Sequence, residues 1–208
     1  MRNSLLLVLV AAGAAFGQYK LEPAGPPPSE LAAGFSDLLQ KDGQKVVAAN
    51  GSVVCELWFR TAAPSGPKST EEGISIPTIP HGAYLGAIRF PPRASDRRGQ
   101  NLKPGVYTLR YSLQPVNGDH LGVAPQRDFL VMSPVAEDKD PAATPKFDDL
   151  MVMSRKASGT PHPAILGMAA GSGAKAPELK KEGDSDWVLG VKIGEIPVSV
   201  IVVGKVEG

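Results

Sequence analysis

Residues 106–113 read VYTLRYSL. Tyr107, Leu109, Tyr111 and Leu113 fall on one side, with Val106, Thr108, Arg110 and Ser112 on the other. Successive side chains of an extended chain point to opposite faces, so this period commits the segment to a β-strand with one face buried. Pro104-Gly105 supplies the turn in front of it. The rhythm recurs in VVCELWF, where Val53, Cys55, Leu57 and Phe59 oppose Val54, Glu56, Trp58 and Arg60, and again in DWVLGVKI. Asn50-Gly51 separates VVCELWF from the apolar run before it, and Asn-Gly is the strongest two-residue hairpin signal.

Further strands are expected in YLGAIRF, in RDFLVMSP, at residues 164–168 and in IPVSVIVVGKV. ISIPTIPHG is extended, but Pro77 and Pro80 confine it to an edge. Two helices are expected, near residues 30–41 and 147–157. The first has Leu31, Phe35, Leu38 and Leu39 at helical spacing, Ser29 as N-cap and Gly43 as stop. The second puts Asp148 and Asp149 at its N-terminus, Arg155 and Lys156 at its C-terminus and Gly159 at its end. Twenty Pro and 23 Gly in 208 residues suit a loop-rich β architecture better than alternating strands and helices. The expected fold is mainly β: an antiparallel β-sandwich, immunoglobulin- or prealbumin-like, with two peripheral helices.

The chain opens MRNSLLLVLVAAGAAFG, with Arg2 before an apolar run and Ala15-Phe16-Gly17 as a small-x-small cleavage pattern. That layout predicts a signal peptide over residues 1–17 and a secreted or periplasmic mature protein beginning at Gln18. The apolar run is too short to span a bilayer. Residues 18–28, QYKLEPAGPPP, read as a Pro-rich linker, and residues 29–208 as a single domain. The 22 basic residues include Arg2, so the mature chain carries 21 against 21 acidic ones. A neutral chain has no electrostatic case for nucleic acid, whose affinity comes largely from neutralised phosphates. The single Cys55 cannot form an internal disulfide and reads as a buried small hydrophobe.

LKPGVYTLRYSL resembles the penultimate-strand motif of exported bacterial β-sandwich modules, prealbumin-like and immunoglobulin-like domains among them. The likeness implies strand geometry and no activity. The chain as a whole is similar, loosely, to exported bacterial proteins of unknown function, through WFRTAAP, PGVYTLRY and DWVLGVKIGEIPVSV. The longer stretch PGVYTLRYSLQPVNGDHLGV also resembles the closing passage of periplasmic copper-resistance proteins of the CopC type. That resemblance implies a copper site with His120 as ligand and Asp119 or Asn117 as its carboxylate or carbonyl partner. Asp119 stands directly before His120 where that family has one residue between, and the mature end is Gln18 where it has a His.

The residues themselves leave two readings of the 117–120 loop. Imidazole with carboxylate suits Cu(II) or Zn(II), with His81 as a further ligand and His162 as a third imidazole. Alternatively Asn117-Gly118 makes a polar turn and Asp119 bonds local backbone. Glu56, Trp58 and Arg60 offer a polar-aromatic strip suited to sugar stacking, or a face for a helix to cover. The basic loop 93–103 and the acidic segment 137–149 suit an anionic glycan and Ca²⁺ respectively, or solvent. G-x-S-x-G, H-E-x-x-H and C-x-x-C are all missing. The expected function is therefore that of a non-catalytic exported module without a cofactor, binding a protein or carbohydrate. The alternative is a periplasmic copper-binding protein.

Overall fold

The computed structural model describes residues 19–116 and 127–205. Along them run β1 (Tyr19–Gly25), α1 (Ala33–Ser36), β2 (Gly43–Ala48), β3 (Val53–Phe59), β4 (Tyr84–Phe90), β5 (Ala94–Ser95) and β6 (Asn101–Leu102). β7 (Gly105–Leu113), β8 (Asp128–Pro134), α2 (Phe147–Ser158), β9 (Ala164–Ala170), β10 (Glu178–Glu182), β11 (Asp186–Ile193) and β12 (Ile196–Val203) follow. Ten strands of the described residues join in one sheet, in the order β1-β2-β3-β4-β7-β8-β9-β12-β11-β10, and β5 pairs with β6. The fold is mainly β and antiparallel throughout, with two helices.

The described strands form one continuous sheet, whose backbone turns a corner within β9. Ala164 to Gly167 pair with β8, and Met168 to Ala170 pair with β12. A strand that changes partners lets one sheet fold over itself. Gly167 stands at the changeover, where a Cβ would press on the Ile201 side chain at 3.0 Å. The two ends of the sheet approach again: Tyr19 of the edge strand β1 packs edge-on against Trp187 of β11, next to the other edge, ring centroids 5.2 Å apart. The sheet is thus nearly closed around one apolar core. Leu57, Ile88, Leu109 and Leu130 from one limb meet Leu189, Val191, Val198 and Val200 from the other. Tyr107, Leu109 and Tyr111 belong to this core, as their alternation requires.

The opposite side of β7 is buried as well: Val106, Thr108, Arg110 and Ser112 are all covered. Three covers lie over that outer face. Leu31, Phe35 and Leu39 close over Trp58, Tyr84 and Val106. α2 lays Leu150 and Met151 on Phe129, Val131 and Ile165. Between them an irregular strap, residues 135–146, crosses β7.

Local predictions fared unevenly. α2 ends as expected, with Gly159 at φ +67° donating its N–H to the Arg155 carbonyl. The stretch read as a Pro-rich linker is instead largely β1, paired from Tyr19↔Ala48 to Gly25↔Gly43. Tyr19 and Leu21 alternate onto the core, and Pro23 is tolerated because β1 is an edge. The helix expected near 30–41 shrinks to one turn. Its apolar residues are buried, but the chain then turns to pair with the end of β3, Gln40 N–H to Phe59 O and Thr61 N–H to Leu38 O. Residues 74–82 form no strand. Ile76 and Ile79 enter the core there, held by the buried Asp128 carboxylate, which accepts from the Ser75 and Ile76 N–H groups and the Tyr111 hydroxyl.

Candidate functional site

Alternation along β7 sets the order of groups on its outer face. Thr108 Oγ1 donates to Asp138 Oδ2 at 2.7 Å. Arg110 follows, fully buried, with its Nε and Nη2 on the two oxygens of Asp138 at 2.7 and 2.8 Å. Its remaining hydrogens go to the carbonyls of Gly82, Asp140 and Ala143, so all five guanidinium N–H groups are used. Ser112 comes next, its Oγ 3.0 Å from His81 Nε2. The His81 ring also lies beside Phe147, centroids 6.1 Å apart. Burial holds the imidazole below its ordinary pKa, against the opposing pull of Glu71 and the Pro145 carbonyl. A Ser–His pair can activate a nucleophile, but Ser112 has no exposure to solvent, so this pair fixes structure.

Gln114, next on the same face, reaches a cleft of about 340 Å³ between α2 and the sheet. Phe147, Met151 and Arg155, one helical turn apart along α2, form its wall. Phe129 and Ile165, from adjacent strands, form the floor, and residues 161–163 close one end. Arg98 enters from the turn between β5 and β6. Asp96 fixes that turn: its buried carboxylate accepts from the N–H groups of Arg98, Gln100 and Ile165 and from Gln100 Nε2. Burial raises the Asp96 pKa, against those donors. Among the described residues, the Arg98 and Arg155 side chains have no ion-pair or hydrogen-bond partner, and no carboxylate lines the cleft.

Nothing matches this chain among the protein-family models, the curated proteins or the solved structures. The geometry therefore stands without a relative to lend it a role.

The residues singled out in the sequence are dispersed. His120, Asp119 and Asn117 lie outside the described residues. His81 is engaged with Ser112 and half-buried, while His162 is exposed on the rim of the cleft. Among the described residues no three His, Cys, Asp or Glu side chains group as metal ligands. Trp58 and Glu56 do not form an exposed strip. Trp58 lies under the α1 segment with its Nε1–H on the Gly25 carbonyl, and Glu56 pairs with Arg89. The basic and acidic loops are tied down individually, Arg97 to Asp186 at 2.6 Å and Lys156 to Glu137 at 2.7 Å. Arg98 belongs to the basic loop 93–103 expected to suit an anionic glycan, whereas Arg155 was missed as a site residue. The helical spacing of Phe147, Met151 and Arg155 was the available signal, but Arg155 was read only as a complement to the helix dipole. A second opening, about 430 Å³, lies where β12 leaves β9; there Arg97 is already neutralised by Asp186. No helix of the described residues is long and apolar enough to cross a membrane.

Proposed function

We propose that the protein is an exported, non-catalytic binding module, immunoglobulin- or prealbumin-like in build, whose ligand seat is the cleft beneath α2. The leader-like sequence of residues 1–17 supports export. The observation that carries the binding role is the cleft itself. It is of the size that small ligands occupy, apolar in its floor, and edged by two guanidinium groups without partners among the described residues. The sealed Ser112 hydroxyl and the missing catalytic motifs support a role without turnover. The seat suits a small molecule, or one side chain of a protein partner, better than a stacked sugar face, because Trp58 is covered.

The test is a thermal-shift and calorimetric screen of the secreted protein against small aromatic and aliphatic compounds, repeated on Ile165→Trp, which fills the floor. Saturable binding lost in the filled variant is the expected result. Binding that survives filling, or an absence of hits, refutes the seat. The NGDH loop supports a second reading, a copper protein using His120 with Asp119. In that reading His81 gives up its contact with Ser112 or with the Pro145 carbonyl to free a ring nitrogen as a ligand. Cu(II) titration of the protein against His120→Ala separates the two.

A further inference from the structure

We propose that the cleft selects small molecules with an aromatic or otherwise apolar body and one anionic head group, carboxylate or sulfonate. The inference rests on the reading of the cleft as the ligand seat and adds the chemical class of what sits there. Its first ground is charge. Arg98 and Arg155 reach the cleft from two separate segments, and both lack a carboxylate partner among the described residues. Among the described residues Arg89, Arg97, Arg110 and Arg127 are matched, to Glu56, Asp186, Asp138 and Glu71; half-buried Arg60 and exposed Arg93 also lack a carboxylate, but neither lines the cleft. Asp148 and Asp149 are the nearest acids on the same helix, about two turns from Arg155 by helix geometry, and neither lines the cleft.

The second ground is shape and polarity. Phe129, Phe147, Met151 and Ile165 supply ring faces, a thioether and a branched alkyl group, surfaces on which a planar apolar body stacks. A guanidinium presents its N–H groups as a fork that matches a carboxylate in plane, so two of them at the rim of an apolar floor specify orientation as well as sign. Arg98 is half-buried and Arg155 exposed, so the ligand neutralises charges that water already reaches. Salt will therefore weaken the contact.

Calorimetry with 1-naphthoate, 1-naphthalenesulfonate, neutral 1-naphthalenemethanol and acetate tests this on the whole secreted protein. Both anions should bind at least tenfold more tightly than 1-naphthalenemethanol, a difference of about 1.4 kcal/mol. Acetate, which has the charge without the body, should not saturate. Arg98→Gln and Arg155→Gln should each weaken both anions several-fold, leave 1-naphthalenemethanol within twofold, and keep the native melting temperature. Equal affinity for the naphthyl alcohol and the anions overturns charge selection while leaving the seat intact. No binding by any naphthyl compound overturns the seat as well. Anion binding that neither arginine variant disturbs places the site elsewhere and overturns both.

Discussion

Replacing Arg110 by Met keeps the length of the side chain and removes its charge and all five donors. Asp138 is then left as a buried carboxylate, 4 % exposed, with Thr108 Oγ1 as its one remaining side-chain donor among the described residues. The carbonyls of Gly82, Asp140 and Ala143 lose their Arg110 hydrogen bonds at the same time. Removing one member of a buried ion pair costs about 3–5 kcal/mol, because the other charge stays desolvated and unpaired. For a chain of this size each kcal/mol lowers the melting temperature by roughly 2–4 °C, so a fall of about 6–20 °C is expected. In urea, with an m-value of about 2 kcal/mol/M, the midpoint should move by roughly 2 M. The assay is urea unfolding followed by far-UV dichroism, with Asp138→Leu and the double variant completing a cycle. The double variant should recover at least about 2 kcal/mol of the summed single losses, since neither charge is then stranded. A single-variant loss below about 1 kcal/mol, or losses that simply add, refutes the reasoning.

Acid should weaken the fold through His81. Burial sets its folded-state pKa below the unfolded value of about 6.5, so between the two the unfolded chain binds more protons. That stability is complete above about pH 6.5 and is lost as the pH falls towards the folded value. The melting temperature should therefore drop further between pH 7.5 and 5.5 in the native protein than in His81→Gln, and equal drops would exclude the effect. Gly82 sits at φ +77° with an added Cβ 2.6 Å from the Pro145 carbonyl oxygen, so Gly82→Ala should cost about 2 kcal/mol or more in denaturant unfolding. Gly51→Ala, at φ +83° in open space, should cost clearly less, and a comparable loss would show that crowding is not the cause. Cys55 is sealed, and burial pushes its thiol pKa well up, so a disulfide reagent should leave it unmodified until the protein unfolds. Rapid modification of the native protein would contradict that burial.

What the sequence made legible was periodicity. β3, β7 and β11 announced themselves because alternation is local, and the inward set of β7 followed from it. Composition misled at β1, where three prolines just beyond the strand and one within it obscured the alternation of Tyr19 and Leu21. β10, Glu178–Glu182, has almost no apolar residue to signal a strand and exists because β11 offers it a partner. The covering of the outer face was hidden for a different reason. It depends on contacts between residues far apart in the chain, Arg110 with Asp138 and Phe35 with Tyr84, which no local pattern encodes. The cleft was hidden likewise, since Arg98, Phe129, Met151 and His162 come from four separate segments. The loop that drew most notice in the sequence, residues 117–120, lies outside the described residues.

The buried arginine and the cleft are parts of one construction. Residues 135–146 form no helix or strand and, Asp138 apart, lie at the surface, so the carbonyls that turn inward over β7 have no regular partners and take their donors from it. A methionine or leucine at position 110 fills the same space and donates nothing. Arg110 supplies donors to two of those carbonyls and to the Asp138 carboxylate, which fixes the strap's path along β7. The strap ends at Lys146, the N-cap of α2, so its path also decides where Phe147 begins the helix. His81, next in sequence to Gly82, holds Phe147 from the other side while it is tied to Ser112. The wall of the cleft is therefore set by polar contacts on β7, not by packing of α2 alone. A folded Arg110 variant should accordingly lose cleft binding as well as stability. An Arg110→Met protein with native affinity for a cleft ligand would break that link.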